Sequence, residues 1–206
     1  MVRKKIGNFQ RFLAAVGKRL QWWHAEKMDL YVLALMARET VIKYRELLNG
    51  DLQQAVTTLK EQFASSARTY LQTFMSQLKL IVSRDFKDIE YMSEISLYSI
   101  LGPDYRKFFS NIKYVPADDP NNAEKLHKFI TITPKCVMCS VIGDLNVEEY
   151  KDTDYGEIIS YALGSLLELI LDYVGLHYTV QIKETRCFMR GSPHGELVMF
   201  LHEKKE

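Results

Sequence analysis

The chain has 206 residues, 47% of them hydrophobic and 26% charged, with a net charge of +1. That length suits one ordinary domain plus an appendage, and the composition is globular rather than disordered or membrane-embedded. The apolar stretch Leu166 to Leu171 is broken by Glu168, and no run approaches the ~18 consecutive apolar residues that suggest a bilayer-spanning helix.

The first segment is basic. Arg3, Lys4, Lys5, Arg11, Lys18, Arg19 and Lys27 stand against Glu26 alone, a net +6 that leaves −5 for the remainder. Phe9, Phe12, Leu13, Val16, Leu20 and Trp23 recur at helical spacing with the cations off that stripe, which predicts a basic amphipathic helix ending in Trp22 and Trp23. Polar residues interrupt the stretch, so no signal-peptide core is read and a cytoplasmic location is expected, with peripheral attachment to membranes as one use of the helix. Residues 1–27 are therefore separated from a single domain over 28–206. Three readings of the helix stand at this stage. Its stripe packs on the domain or on a second copy with the cations solvated, or it lies on anionic lipid, or it binds nucleic acid. The acidic balance of the rest and the lack of a nucleic-acid module argue against the third. Arg3, Lys4, Lys5, Phe9, Arg11, Phe12, Val16, Lys18, Arg19, Leu20, Trp22 and Trp23 are the candidate membrane or partner contacts.

Leu33, Ala37, Thr40, Val41, Tyr44, Leu47 and Leu48 predict a second helix, which Asn49-Gly50 ends. Asp51 caps a third that carries Leu52, Val56, Leu59, Phe63, Ala67, Tyr70, Leu71, Phe74 and Leu78 on one face. These two helices display more apolar surface than a small sheet covers, which predicts a homodimer or a heterodimer with a related subunit. A fourth helix begins near Ser83 to Asp85 and stops at Gly102-Pro103, followed by a short helix to about Ile112. Ile112 to Val115 and Phe129 to Ile132 then read as a hairpin around Asp118-Asp119-Pro120-Asn121-Asn122. Cys136 to Ile142 reads as a third strand, and Asn146 to Asp154 as a polar loop. Ile158, Ile159, Ala162, Leu163, Leu166, Leu167, Ile170 and Val174 predict a central helix closed by Gly175. A final hairpin pairs Tyr178 to Ile182 with Leu197 to Leu201. The order predicts an α+β fold with long amphipathic helices on one face of an antiparallel sheet.

Catalytic and metal chemistry find little support. Cys136-x-x-Cys139 has a zinc-like spacing, but strand alternation would send the two thiols to opposite faces, and no helix N-terminus is read there to activate them. Reduced core cysteines are expected, with no metal and no cofactor. The five histidines are scattered singly, no nucleophile stands beside one in a catalytic pattern, and no phosphate-binding glycine loop is present. A non-enzyme is expected.

Arg84-Asp85-Phe86 opening a helix, Pro134 before a strand, and Tyr155 leading into a helix with Leu163 and Glu168 resemble the Bet-type small subunits of TRAPP, the transport protein particle that tethers vesicles to membranes. The resemblance covers about residues 28 to 203, with a longer loop between Pro134 and Tyr155. It implies a scaffold subunit of a tethering complex that supports nucleotide exchange on a small GTPase of the Rab type once assembled. The pattern around Gly175 and Gly191 is also similar to the 4-vinyl reductase domain, which implies the alternative of a stand-alone sensor for a small apolar ligand or lipid. Two departures qualify the likeness. In the best-known TRAPP subunits a cysteine two residues before the position of Asp85 carries an acyl chain that lies in an apolar tunnel; here Ser83 stands there and cannot form the thioester. In several 4-vinyl reductase relatives a glutamate and cysteines hold zinc; Glu184 and Cys187 match, but Gly195 replaces the other cysteine.

Overall fold

The computed structural model describes residues 5–24, 29–75, 83–110 and 112–204. Arg3, Lys4, Lys27 and Leu78, which figure in the readings above, lie outside them. Helix α1 runs Asn8–His24, α2 Leu30–Leu47, α3 Leu52–Met75 and α4 Phe86–Leu101, followed by a 3-10 turn at Pro103–Lys107. Strands β1 (Lys113–Val115) and β2 (Lys128–Thr133) come next. One-turn helices α5 (Val137–Ser140) and α6 (Val147–Tyr150) lead to α7 (Tyr161–Val174), β3 (Tyr178–Arg186) and β4 (Gly195–Glu203). The strands form one antiparallel sheet in the order β1-β2-β4-β3. The α+β arrangement of helices on an antiparallel sheet is the one the periodicity predicts.

Side-chain chemistry sets the helix ends. Asp29 Oδ1 accepts from the Tyr31 and Val32 amides at 2.8 and 3.2 Å, Asp51 Oδ1 from Gln54 at 2.9 Å, and Asp85 Oδ1 from Lys87 at 2.9 Å. Each carboxylate satisfies amides that a first helical turn leaves open. Asn49 and Gly50, both at positive φ, turn the chain between α2 and α3.

Pleating places Phe129, Thr131, Thr133, Ile182, Glu184, Leu197, Met199 and Leu201 on the sheet's buried face, consistent with the pairings Phe129 to Met199 and Thr131 to Leu197. Helix α7 covers that face, with Leu166, Leu167, Ile170, Leu171 and Val174 buried. A Cβ at Gly164 would sit 2.7 Å from Ile182 Cδ1, so glycine is what lets α7 lie this close to β3.

The run Cys136 to Ile142 is not a strand. It forms α5, with Cys136 as its N-cap and the Cys136 sulfur accepting from the Cys139 amide at 3.1 Å. Strand β2 already has β1 on one edge and β4 on the other, so a strand following it finds no free edge beside it. Val137, Met138, Val141 and Ile142 are all buried, at a spacing that one helical face explains and alternation does not. The helical turn also brings Cys136 and Cys139 together, Cα to Cα 5.3 Å, and a disulfide joins them where reduced thiols are predicted from the sequence. Cys187 is free and buried. The polar segment at Asn146 to Asp154 likewise contains α6, pinned by the buried Tyr150 ring edge-on to Tyr155 at 5.0 Å.

Helix α1 packs along α4 with its polar side inward. Ala14 is buried, Arg11 Nη2 lies 2.9 Å from Asp88 Oδ1, the Ile6 amide donates to Asp88 Oδ2 at 2.7 Å, and Lys18 Nζ stands 4.8 Å from the Tyr98 ring centroid. At the far end Trp22 covers Gly102, whose φ of 76° and ψ of −167° are open only to glycine. A Cβ there would fall 2.4 Å from Trp22 Cζ2. Gly102→Ala is expected to cost about 1–3 kcal/mol of stability and to displace Trp22 from α4. Denaturant unfolding reads the first effect and a red shift of tryptophan emission the second.

Candidate functional site

The helices do not close perfectly on one another. Where α2, α3, α4 and α7 meet, they line a half-open cavity of about 470 Å³. Its wall consists of Leu30 and Leu33 from α2, Leu59, Phe63 and Ala67 from α3, Leu97 and Leu101 from α4, Ala162, Leu163 and Leu166 from α7, and Phe109 and Ile159. Gln62 and Ser66 complete it, and Gln62 Oε1 accepts from Tyr44 Oη at 2.8 Å. The volume is in the range of small-molecule sites. Most of the wall is leucine, phenylalanine, alanine and isoleucine and none of the residues named carries a charge, so the site suits an apolar molecule. Most of these residues belong to the helical stripes legible in the sequence, where they read as core. The excess of apolar helix surface over sheet predicts a partner contact, and no stripe by itself marks a void.

The residues on which the family resemblance rests have structural work. The Arg84 guanidinium donates to Val174 O at 2.7 Å and closes the end of α7, Asp85 caps α4, and the Phe86 ring stacks on Tyr114 and His127, each at 4.9 Å. Ser83 is buried, its Oγ accepting from the Asp85 amide at 3.0 Å, and it is not among the residues of the cavity wall.

No family model matches the sequence, and neither does any curated protein. Among solved structures, trafficking protein particle complex subunit 3 from Naegleria fowleri, covalently bound to palmitic acid, matches with a TM-score of 0.55. The match covers 88% of this chain and 99% of that one, at 18% sequence identity. The fold is that of a TRAPP subunit. At this identity the likeness extends to the fold alone.

The candidate contact residues of the N-terminal segment fall on opposite sides of α1. Arg11, Lys18 and Trp22 face α4, as described. Phe9, Phe12, Leu13, Val16, Leu20 and Trp23 are exposed, and Lys5 and Arg19 are exposed with them. The structure therefore reverses the simplest packing of an amphipathic helix, in which the apolar stripe is buried and the cations are solvated. Periodicity finds such a stripe but not which face the body will cover, because that depends on Asp88, Tyr98 and Gly102, far away in sequence.

A buried polar cluster is the part that sequence reasoning missed. Lys60 Nζ lies 2.8 Å from Glu157 Oε2 and 3.0 Å from Asp154 Oδ2, and Glu157 Oε1 accepts the Glu184 amide at 2.6 Å. Burial disfavours charge on Lys60, but the hydrogen bonds and charges of Glu157 and Asp154 together raise its pKa above the ordinary range. The cluster ties α3 to the turn before α7 and to β3. Burial also raises Glu184, more than its bond from Cys187 and the nearby Arg190 lower it. Burial, reinforced by Glu184, pushes the Cys187 thiol up to about 11, so it stays protonated and is neither a ready nucleophile nor a ready metal ligand. Glu184 and Cys187 are thus neighbours, as the resemblance to zinc-holding relatives implies. Gly195 sits opposite Thr133 in the sheet with no side chain to add, and no group of three metal-type ligands occurs among the described residues.

The pKa of Glu184 is higher folded than its ordinary value of 4.5, so the native state retains a proton that the unfolded state has lost. Stability then falls as pH rises from the unfolded pKa through the folded one. Glu184→Gln removes that decline. It is expected to match the parent in acid and to be the more stable of the two at neutral pH, measured by urea unfolding across the carboxylate range.

Proposed function

We propose that this chain is a non-enzymatic scaffold subunit of a TRAPP-like vesicle-tethering complex, pairing with a second copy or a related subunit through its helical face. The observation that carries this reading is the outer side of α2, where Tyr31, Val32, Leu35 and Met36 stand exposed together on a fold shared with a TRAPP subunit. An apolar helix face left bare costs solubility unless it is covered, and permanent interfaces of this kind bury about 2,000 Å² or more. Support for nucleotide exchange on a Rab-type GTPase belongs, in this reading, to the assembled complex. Val32→Asp with Met36→Asp places charge on the proposed contact without touching the core. Light scattering is expected to show a dimer, or a complex with a homologous subunit, and the double variant a monomer of unchanged melting temperature. A parent chain that is monomeric at micromolar concentration and captures no homologous subunit would end the proposal.

A second reading rests on the cavity: the domain holds a small apolar ligand or lipid, without a covalent bond because Ser83 replaces the acylated cysteine. Mass spectrometry of an organic extract of the native protein is expected to find a stoichiometric apolar molecule. Ala67→Phe with Ala162→Phe fills the space and should abolish its retention while leaving the melting temperature equal or higher. An empty parent protein would exclude this reading and leave the scaffold intact.

A further inference from the structure

The exposed stripe of α1 calls for an occupant, and the way the helix is docked narrows the choice. Phe9 is 68% exposed, Phe12 64% and Trp23 78%, with Val16 and Leu20 exposed between them. The helix cannot roll to bury them without breaking the Arg11 to Asp88 ion pair, withdrawing Lys18 from Tyr98 and lifting Trp22 off Gly102. Its seventeen residues span about 26 Å, and the helix packs against α4. The outward face is therefore a fixed apolar strip.

Charge selects the occupant. No acidic residue occurs in the chain before Glu26. Of the acids that meet this segment, Asp85 and Asp88 lie on the inward side, where Lys5 and Arg11 reach them, and Glu94 stands near Lys18. Lys5 remains largely in solvent and Arg19 is exposed beside the strip. Two copies paired strip to strip would bring their cations together. An interface of anionic lipid instead offers burial to the aromatic and aliphatic side chains and counter-charge to the bases, and tryptophan is suited to the boundary.

We propose that α1 is a membrane-docking face: Phe9, Phe12, Val16, Leu20 and Trp23 enter the headgroup boundary of an anionic bilayer, and Arg19 beside them contacts lipid phosphates and carboxylates. The inward residues Arg11, Lys18 and Trp22 fix the helix to α4, so the domain is held directly against the lipid. This does not depend on the cavity or on the α2 face.

The chain's only tryptophans are Trp22 and Trp23, so tryptophan emission, excited selectively, reports on α1 alone. The full chain is mixed with vesicles of phosphatidylcholine and phosphatidylserine, and separately with pure phosphatidylcholine. Co-sedimentation and a blue shift of emission are expected with the anionic vesicles only, both weakening as salt shortens screening from ~10 Å at 0.1 M to ~3 Å at 1 M. Phe9→Ser with Phe12→Ser keeps both tryptophans and removes only exposed side chains; it should lower vesicle binding at least about tenfold at unchanged melting temperature. Arg19→Glu should weaken anionic binding alone. The proposal is overturned if anionic vesicles leave emission and sedimentation unchanged, or if neutral vesicles bind equally well. A lipid-independent blue shift that grows with protein concentration would assign the strip to a second copy instead.

Discussion

A small antiparallel sheet has one face for helices, and here α7 takes it. Gly164 of that helix lies over Ile182 of β3, and Leu97 of α4 reaches the same face near Phe129 and Met199. Helix α3 must then pack on α7, and α2 on α3, each a layer further from the strands, while α4 fills the flank beside β1 and carries α1 on its outside. Apolar surface that no strand can cover has to be met by other helices. Where four of them converge without interdigitating, the cavity remains, and where the stack ends, Tyr31, Val32, Leu35 and Met36 face outward. Both follow from the ratio of helix to sheet.

Between these layers the fixed points are polar. Lys60 reaches from α3 to Glu157 and Asp154, and Arg84 from the start of α4 to the last carbonyl of α7. Arg11 reaches from α1 to Asp88. The Lys60 to Glu157 pair is buried, and such a pair contributes modestly to net stability because desolvation offsets attraction, yet removing one partner is costly. Their geometry does what apolar contacts alone do poorly. It selects one orientation, and on α1 it selects the orientation that leaves the apolar strip outside.

The contrast between α7 and α1 shows what a sequence can convey. Both carry clear helical stripes. In α7 the stripe is so wide that burial is its only outcome, and its position against the sheet is legible from composition. In α1 the stripe is narrow and flanked by cations, and the deciding contacts come from residues about eighty positions away, beyond the reach of periodicity. The same limit hid the link from Lys60 to Glu157, a pair separated by 97 positions. Cys136 to Ile142 is a different case. The spacing of Val137, Met138, Val141 and Ile142 already favours a helical turn, and β-rich composition with a preceding proline misdirected the reading. The cavity residues were legible as apolar and inward, but a void is a property of volume among four helices, which no single stripe records.

The last turn of α4 is where these features meet. Leu97 and Leu101 form part of the cavity wall, while Tyr98 and Gly102, one residue further on, lie under Lys18 and Trp22 of α1. At helical spacing, adjacent residues point about a quarter turn or more apart, so a single turn presents one side to the interior void and the other to the docked helix. Phe109 extends the wall just past the 3-10 turn that Gly102 begins. Glycine at 102 is required by both the backbone and the tryptophan above it, and that requirement ties the end of α4 to the position of α1. An apolar guest between α3 and α7 and a lipid surface against α1 would therefore bear on opposite sides of the same four residues.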